Sequence, residues 1–233
     1  MKNNGLSDHS IKAVGKALRL IAEHTDIDNP DQVKQFIARR EVSNGTKRNY
    51  IRAYEHYVKF HNIQWQKPIY HDIAKPIRIP TRERLHKIIS GAGNTLSTKL
   101  QLSMETGLRP VELCNLKVKD ADLEQRIIYP TTAKYGASRQ LRISQSLAKR
   151  LGDHIQKRHL KPDDNLFTGD LDYYGKMYRN LRNRLAEKLQ DATLKTIRLY
   201  DFRHYFATAL YDKTKDILLV KQQMGHKKLD TTL

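Results

Sequence analysis

The broadest limit on the fold comes from residues 67–80, which hold three of the seven prolines of the chain. Pro68, Pro76 and Pro80 prevent a continuous helix, because proline lacks an amide donor and its ring clashes with the preceding turn. Basic residues lie among these prolines, so the stretch is expected to be exposed. The sequence therefore predicts two domains and a connector: residues 1–66, a basic linker at 67–80, and residues 81–233.

The first 66 residues show the apolar spacing of amphipathic helices. Val14, Leu18 and Ile21 recur at intervals of four and three residues, which places them on one helical face. Asn29 precedes a proline at the start of a second helix, and Ser43 stands at the start of a third. We therefore predict a small helical N-terminal domain.

Residues 81–233 mix helical patterns with two short β-prone runs. Helices are predicted at 82–89 and 97–105, and a further helix is expected to begin at Ser146. The runs 126–129 and 140–143 are separated by a polar stretch and indicate a small hairpin. The predicted fold class is mainly α with a small antiparallel β-sheet.

The charge balance indicates a polyanionic partner. The chain has 43 Lys and Arg residues against 25 Asp and Glu residues, which gives a formal net charge of +18. Such an excess causes self-repulsion in the compact state, and a nucleic acid would relieve it. A soluble protein with a merely basic surface is the alternative. Double-stranded DNA is the partner that we expect.

Cysteine content and hydropathy indicate where the protein acts. Cys114 is the single cysteine, so an intramolecular disulfide is excluded and a reducing compartment is expected. No apolar run is long enough for a membrane-spanning helix, and no signal-peptide core follows Met1. The sequence therefore predicts an intracellular, cytoplasmic protein that associates with DNA and has no membrane partner.

Three short segments carry the functional information. They are Thr-Gly-Leu-Arg-Pro-Val-Glu-Leu at 106–113, Leu-Tyr-Asp-Phe-Arg-His-Tyr-Phe-Ala-Thr at 199–208, and the Gly-His pair at 225–226. In their residues and separations they resemble the tyrosine recombinase family, of the phage and archaeal integrase, Xer-like type. The resemblance implies a two-domain, C-shaped DNA clamp with a helical DNA-binding domain followed by a catalytic domain.

The resemblance also implies five catalytic residues, which are Arg109, Lys134, Tyr200, Arg203 and His226. When a DNA phosphodiester is attacked, negative charge grows on the phosphate oxygens, and fixed positive donors stabilise it. Arginine suits this task because its guanidinium stays charged and presents a planar fork to the oxygens. Glu112, three residues after Arg109, is predicted to hold that guanidinium without taking part in the chemistry.

The remaining catalytic residues have different implied roles. Lys134, at the hairpin turn, corresponds to the mobile lysine that donates a proton to the departing 5′ oxygen. His226 follows a glycine that ends a helix, and it suits a phosphate hydrogen-bond donor. Tyr200 stands where the family most often has histidine; a phenol is a poor base at neutral pH but can hydrogen-bond a phosphate.

Further basic residues are predicted to contact DNA. Some lie on the third helix, away from its tyrosine face; some lie in the linker, which is either a solvated connector or a segment along the phosphates; and one follows the hairpin turn. These residues are Lys47, Arg48, Arg52, Lys75, Arg78 and Arg139.

The family's nucleophilic tyrosine stands nine residues after the histidine of the Gly-His pair. Here that position is 235, two residues beyond Leu233, so we expect this 233-residue form to lack the nucleophile and to be inactive. The reaction would form a 3′-phosphotyrosyl bond, which a 5′ hydroxyl then reverses. No metal or other cofactor is expected to be required.

The implied function is site-specific DNA recombination by a homo-tetramer on paired sites, as in mobile genetic elements. Two alternatives remain open. One is a non-catalytic DNA-binding accessory protein with the recombinase fold, and the other is a type IB topoisomerase. The short helical N-terminal domain favours recombination over the second alternative.

Overall fold

The computed structural model describes residues 5–71, 78–131 and 139–226. The chain divides into two compact units, Met1–Ile77 and Arg78–Leu233. Each unit has its own apolar core.

The first unit is built from three helices, which are α1 (Asp8–Ala22), α2 (Pro30–Arg39) and α3 (Asn44–His61). Each helix begins after a side chain that caps its free amides: Ser7, Asn29 and Ser43 accept hydrogen bonds from the first turns of α1, α2 and α3. The apolar faces of the helices meet in a core centred on Ile21, Ile37 and Tyr54.

The chain that follows α3 packs back on this core. Trp65 lies edge-on against Tyr54, with ring centroids 4.7 Å apart, and Tyr70 also packs against the core. Asn44 donates a hydrogen bond to the carbonyl of His71 at 2.7 Å. Residues 67–71, which belong to the predicted linker, therefore include side chains and backbone that bond to or pack on the first unit.

The second unit contains seven α-helices among its described residues. They are α4 (Arg82–Ser90), α5 (Asn94–Thr106), α6 (Pro110–Asn115), α7 (Gln145–Lys157), α8 (Leu171–Lys188), α9 (Leu199–Thr214) and α10 (Ile217–Met224). Short 3-10 helices lie at Val118–Asp120 and Ala192–Thr196. Among the described residues, no helix is long and apolar enough to cross a membrane.

The sheet has three antiparallel strands in the order β1–β2–β3, and they are β1 (Ala121–Asp122), β2 (Ile127–Ile128) and β3 (Leu141–Arg142). Ile128 pairs with Ala121 on one side and with Leu141 on the other. The two predicted β-prone runs are the sources of β2 and β3, and β1 is an addition. The prediction of a mainly α fold with a small antiparallel sheet is confirmed.

Helix α5 lies at the centre of the second unit and is buried on most of its surface, including Ser97, Lys99 and Ser103. Burial on all sides removes the apolar stripe that a sequence pattern can detect, which explains why the predicted helix began three residues late. The predicted start of α7 at Ser146 is also displaced, because Ser144 is the residue that caps it.

Candidate phosphate-binding site

Arg109 lies at the junction between two helices. Gly107 ends α5 in the left-handed region, with φ of 63°, and Arg109 is the residue that precedes α6. A Cβ atom at position 107 would lie 2.4 Å from a ring carbon of Phe206 in α9, so only glycine permits this close approach. The turn therefore fixes where the Arg109 side chain begins.

Glu112 holds Arg109 through two hydrogen bonds. The backbone amide of Arg109 donates to Glu112 Oε2 at 2.8 Å, and Arg109 Nη1 donates to Glu112 Oε1 at 2.8 Å. The Glu112 side chain has no exposed surface, whereas 22% of the Arg109 side chain is exposed. The carboxylate therefore supports the guanidinium from the protein side and leaves part of it accessible.

A second arginine contacts the same carboxylate. Arg139 Nη2 donates to Glu112 Oε2 at 2.7 Å, and neither side chain has exposed surface. Burial alone would raise the pKa of the Glu112 carboxyl, but the hydrogen bonds and positive charges of Arg139 and Arg109 lower it below its ordinary value. Glu112 is therefore ionised at neutral pH.

Arg203, in α9, is buried and links three parts of the unit. Its Nη1 donates to the carbonyl of Gly107, and its Nη2 donates to the carbonyl of Met224 at 2.6 Å. Burial, and to a smaller extent the charge of Arg109, lowers the pKa of Arg203 to about 10. The guanidinium therefore stays protonated at neutral pH and ties the end of α5 to the end of α10.

His226 follows Gly225, which ends α10 with φ of 63°. Its Nε2 lies 3.0 Å from Arg203 Nη2. Burial, followed by the charges of Arg203, Arg109 and Arg139, lowers the pKa of His226 to about 4. The ring is therefore neutral at pH 7, and because Arg203 can only donate, Nε2 accepts and Nδ1 carries the proton.

Tyr200 lies in the first turn of α9, one helical turn before Arg203, and 49% of its surface is exposed. Its phenol is close enough to the Arg203 guanidinium to affect the pKa of Arg203. The structure thus brings together four of the five residues implied as catalytic, which are Arg109, Tyr200, Arg203 and His226. Lys134 lies outside the described residues.

The residues predicted to contact DNA have different environments. Arg52 and Arg78 are exposed, and Arg48 is half-buried. Lys47 is half-buried, donates to the carbonyl of Ala38 at 2.8 Å and lies 5.2 Å from the ring centroid of Tyr70. Lys75 lies outside the described residues.

Arg139 differs from its prediction. It was expected to contact DNA, but its side chain is fully buried against Glu112, so it has no surface to offer to a phosphate. No local feature of the sequence marks this pairing, because Glu112 and Arg139 are 27 residues apart and meet only in the folded unit.

Among the described residues, no three His, Cys, Asp or Glu side chains are grouped as a metal site would require. The charges that converge here are instead three guanidiniums and one carboxylate, which leave two positive charges uncompensated when His226 is neutral. Such an excess in a partly buried place favours an anion with several acceptor oxygens.

Sequence comparison identifies the family to which this arrangement belongs. The profile of the phage integrase family matches residues 81–233, which include every residue of the site. The chain belongs to the phage integrase family. The membership predicted from the three short segments is thereby confirmed.

Two relatives illustrate the similarity between this phage integrase family member and known proteins. The tyrosine recombinase XerA of Saccharolobus solfataricus is 28% identical over 84% of this chain and 64% of its own length. A tyrosine recombinase of Pseudothermotoga lettingae is 27% identical over 97% of this chain and 86% of its own length. The chain thus spans slightly less than two thirds of the archaeal XerA protein.

Solved structures share the fold of this family member. A crystal structure of XerA recombinase has a TM-score of 0.58 at 21% identity and covers all of this chain and 88% of that chain. The Tn1549 transposon integrase in complex with a circular intermediate DNA has a TM-score of 0.76 at 18% identity, over 98% of this chain and 89% of that chain. These similarities support the recombinase fold.

Proposed function

We propose that this protein is a site-specific DNA recombinase that cuts and rejoins strands through a 3′-phosphotyrosyl intermediate. The observation that carries the proposal is the convergence of Arg109, Arg203 and His226, with an excess of positive charge beside partly exposed donors. A DNA phosphodiester carries the negative charge and the acceptor oxygens that such a group of donors would bind. The names of the relatives, which are recombinases, agree with this reading.

The proposed chemistry assigns a separate task to each side chain. Arg109 and Arg203 neutralise the charge that grows on the non-bridging oxygens as a tyrosine oxygen attacks in line. His226, with Nε2 facing Arg203, donates its Nδ1 proton to a phosphate oxygen. Tyr200 contributes a further hydrogen bond to the phosphate from the exposed side of α9. Lys134 is proposed to protonate the 5′ oxygen as it leaves.

We further propose that the attacking tyrosine corresponds to position 235, nine residues after His226, so that residues 1–233 alone do not form the covalent intermediate. Tyr200 is a poor substitute because it precedes Arg203 on the same helix, whereas the family places its nucleophile after the Gly-His pair. The proposed assembly is a homo-tetramer on two duplex sites inside the cell, with no metal or cofactor.

The remaining parts of the proposal concern DNA binding. We propose that residues 1–66 form the DNA-binding domain and that residues 81–233 form the catalytic domain. Arg48 and Arg52 of α3 and the exposed Arg78 would supply phosphate contacts. Lys47 would contribute charge near the phosphates while its ammonium stays bonded to Ala38.

A cleavage assay tests this function. Duplexes that bind the protein are first selected from a random-sequence pool, and the selected site is then nicked near the scissile phosphate so that a cleaved strand diffuses away. The natural protein is compared with residues 1–233 and with the variants Arg203→Ala and Arg158→Met, the last being an exposed arginine at the end of α7. Covalent protein–DNA product is scored on a denaturing gel.

The expected result is a 3′-linked adduct with the natural protein and with Arg158→Met, and none with residues 1–233 or Arg203→Ala. Binding to the selected duplex without any adduct from the natural protein would identify a non-catalytic DNA-binding protein instead. Relaxation of supercoiled plasmid lacking the selected site would favour a type IB topoisomerase.

A further inference from the structure

The environment of Arg139 differs from that of every other arginine in the site. Its side chain has no exposed surface, and it forms an ion pair with the equally buried Glu112. Among the residues that the structure describes, neither Arg139 Nε nor Arg139 Nη1 has a hydrogen-bond acceptor. Burying a guanidinium completely costs desolvation free energy, so an interaction of Arg139 must make a contribution that accounts for its burial at this site.

The three donors on Glu112 show what that contribution is. Oε1 accepts from Arg109 Nη1, and Oε2 accepts from both the Arg109 amide and Arg139 Nη2. Two of the three donors belong to Arg109 itself, so Arg139 supplies the independent one. The terminal side-chain torsion of a glutamate has a broad range of values, and a hydrogen bond from another element restricts that range.

Arg139 also supports the turn that carries His226. A Cβ atom added to Gly225 would lie 2.6 Å from Arg139 Nη1, so the guanidinium fills the space where a side chain would stand. The same turn presents the carbonyl of Met224 to Arg203. The buried Arg139 side chain therefore contacts both Glu112, which holds Arg109, and the turn whose carbonyl accepts from Arg203.

We propose that Arg139 is a positioning residue for the phosphate site: it fixes the Glu112 carboxylate, and through Glu112 it orients Arg109 toward the bound phosphate. This inference rests on the proposed function and deepens it, because it explains how the partly exposed Arg109 keeps one orientation. It also replaces the expectation that Arg139 contacts DNA directly.

A double-mutant cycle between positions 139 and 109 tests the inference through DNA affinity, which requires no cleavage. The variants are Arg139→Met and Arg139→Lys, each made alone and in an Arg109→Ala background. Arg139→Lys keeps the charge if Arg139→Met fails to fold, and circular dichroism sets a temperature at which all variants are folded. Arg158→Met serves as the control, because Arg158 is exposed and follows the C-terminal end of α7. The other end of that helix begins at Ser144, which bonds to Glu105 in the last turn of α5.

The dissociation constant of the selected duplex is measured at several salt concentrations. We expect each Arg139 variant to weaken binding roughly fivefold when Arg109 is present. When Arg109 is alanine, the same change should weaken binding less than about twofold, a difference typical of residues in one network. In the Arg109→Ala background the salt dependence should not change further. Arg158→Met should bind as the unsubstituted protein does.

Two results would overturn the inference. Equal weakening in both backgrounds would mean that Arg139 only stabilises the fold. A loss of about 0.9 from the salt slope in the Arg109→Ala background would mean that Arg139 contacts a phosphate itself. Failure of the proposed function is a separate outcome, seen as no selected duplex or as a selected duplex that never yields an adduct.

Discussion

Basic residues are held differently in the two units. In the second unit, Arg109 and Arg203 are fixed by a buried carboxylate and by backbone carbonyls. In the first unit, Arg52 is exposed, and Lys47 is bonded to one backbone carbonyl. Stabilising a phosphoryl transition state requires donors that are fixed before the reaction, whereas following a DNA backbone requires mainly charge. Substitutions in the second unit should therefore lower catalysis and stability, whereas those in the first unit should lower DNA affinity.

The largest expected effect is on catalysis, from Arg203→Lys. Lysine keeps the charge but loses the fork that bonds Gly107 and Met224 together. We expect adduct formation at saturating DNA to fall by about 100-fold to 1,000-fold, the usual loss for one oxyanion donor. Single-turnover cleavage measures it, and a rate within threefold of the unsubstituted protein would contradict the role given to Arg203.

The largest expected effect on stability is from Glu112→Ala. It leaves the buried Arg139 without its carboxylate, and breaking a buried pair in this way costs about 3–5 kcal/mol of unfolding free energy. Urea denaturation of the second unit measures it. Glu112→Gln is the matched control: it keeps the volume and one acceptor and should cost less. Equal costs would show that the charge is irrelevant.

A smaller effect is expected at the turn before His226. Gly225→Ala places a Cβ atom against Arg139 Nη1 and forces alanine into a left-handed conformation, which costs roughly 1–3 kcal/mol. The cleavage rate should fall as well, because His226 and Arg139 shift. Gly152→Ala is the control, since its added Cβ would meet only Leu123 at 3.7 Å. Wild-type cleavage by Gly225→Ala would contradict the packing argument.

The pH dependence of stability should report His226. Its pKa falls from the ordinary 6.5 to about 4 on folding, so the unfolded chain binds the proton more tightly. Stability should therefore decline as pH falls from about 6.5 toward 4, and His226→Asn should flatten that part of the curve. Protonation of Glu112 should lower stability further only at more acidic pH, because its pKa in the folded protein lies below the ordinary value of 4.5. An unchanged curve in His226→Asn would exclude this assignment.

The smallest effect is expected in the first unit, from Arg52→Ala on the exposed face of α3. The slope of log affinity against log salt should fall by about 0.9 if one phosphate contact is lost. Unfolding free energy should change by less than about 0.5 kcal/mol. The cleavage rate at saturating DNA should stay the same. A fall in that rate would remove the distinction between the two units.

Much of the fold and part of the site follow from the sequence. Helices with an apolar stripe, such as α1 and α3, were predicted because burial on one side leaves a periodic pattern. Arg109, Arg203 and His226 stand in short segments with fixed spacing, and the glycines at 107 and 225 mark the turns that bring them together.

The rest could not be predicted, for physical reasons. Helix α5 is buried on most faces and so lacks an amphipathic pattern, and nothing in the sequence marks Lys99 as buried beside Tyr174. The burial of Arg139 depends on a contact with Glu112, 27 residues away. The sequence places Arg139 just after the predicted hairpin turn, and nothing local to that position indicates its burial.

The central claim is that Arg109 and Arg203 neutralise one phosphate, and a methylphosphonate at the scissile position tests it most directly. Replacing one non-bridging oxygen by methyl removes the charge that the arginines are proposed to balance. The account predicts that Arg109→Ala and Arg203→Ala regain much of their cleavage rate on this neutral substrate, relative to the unsubstituted protein. Defects as large on methylphosphonate as on phosphate would contradict it.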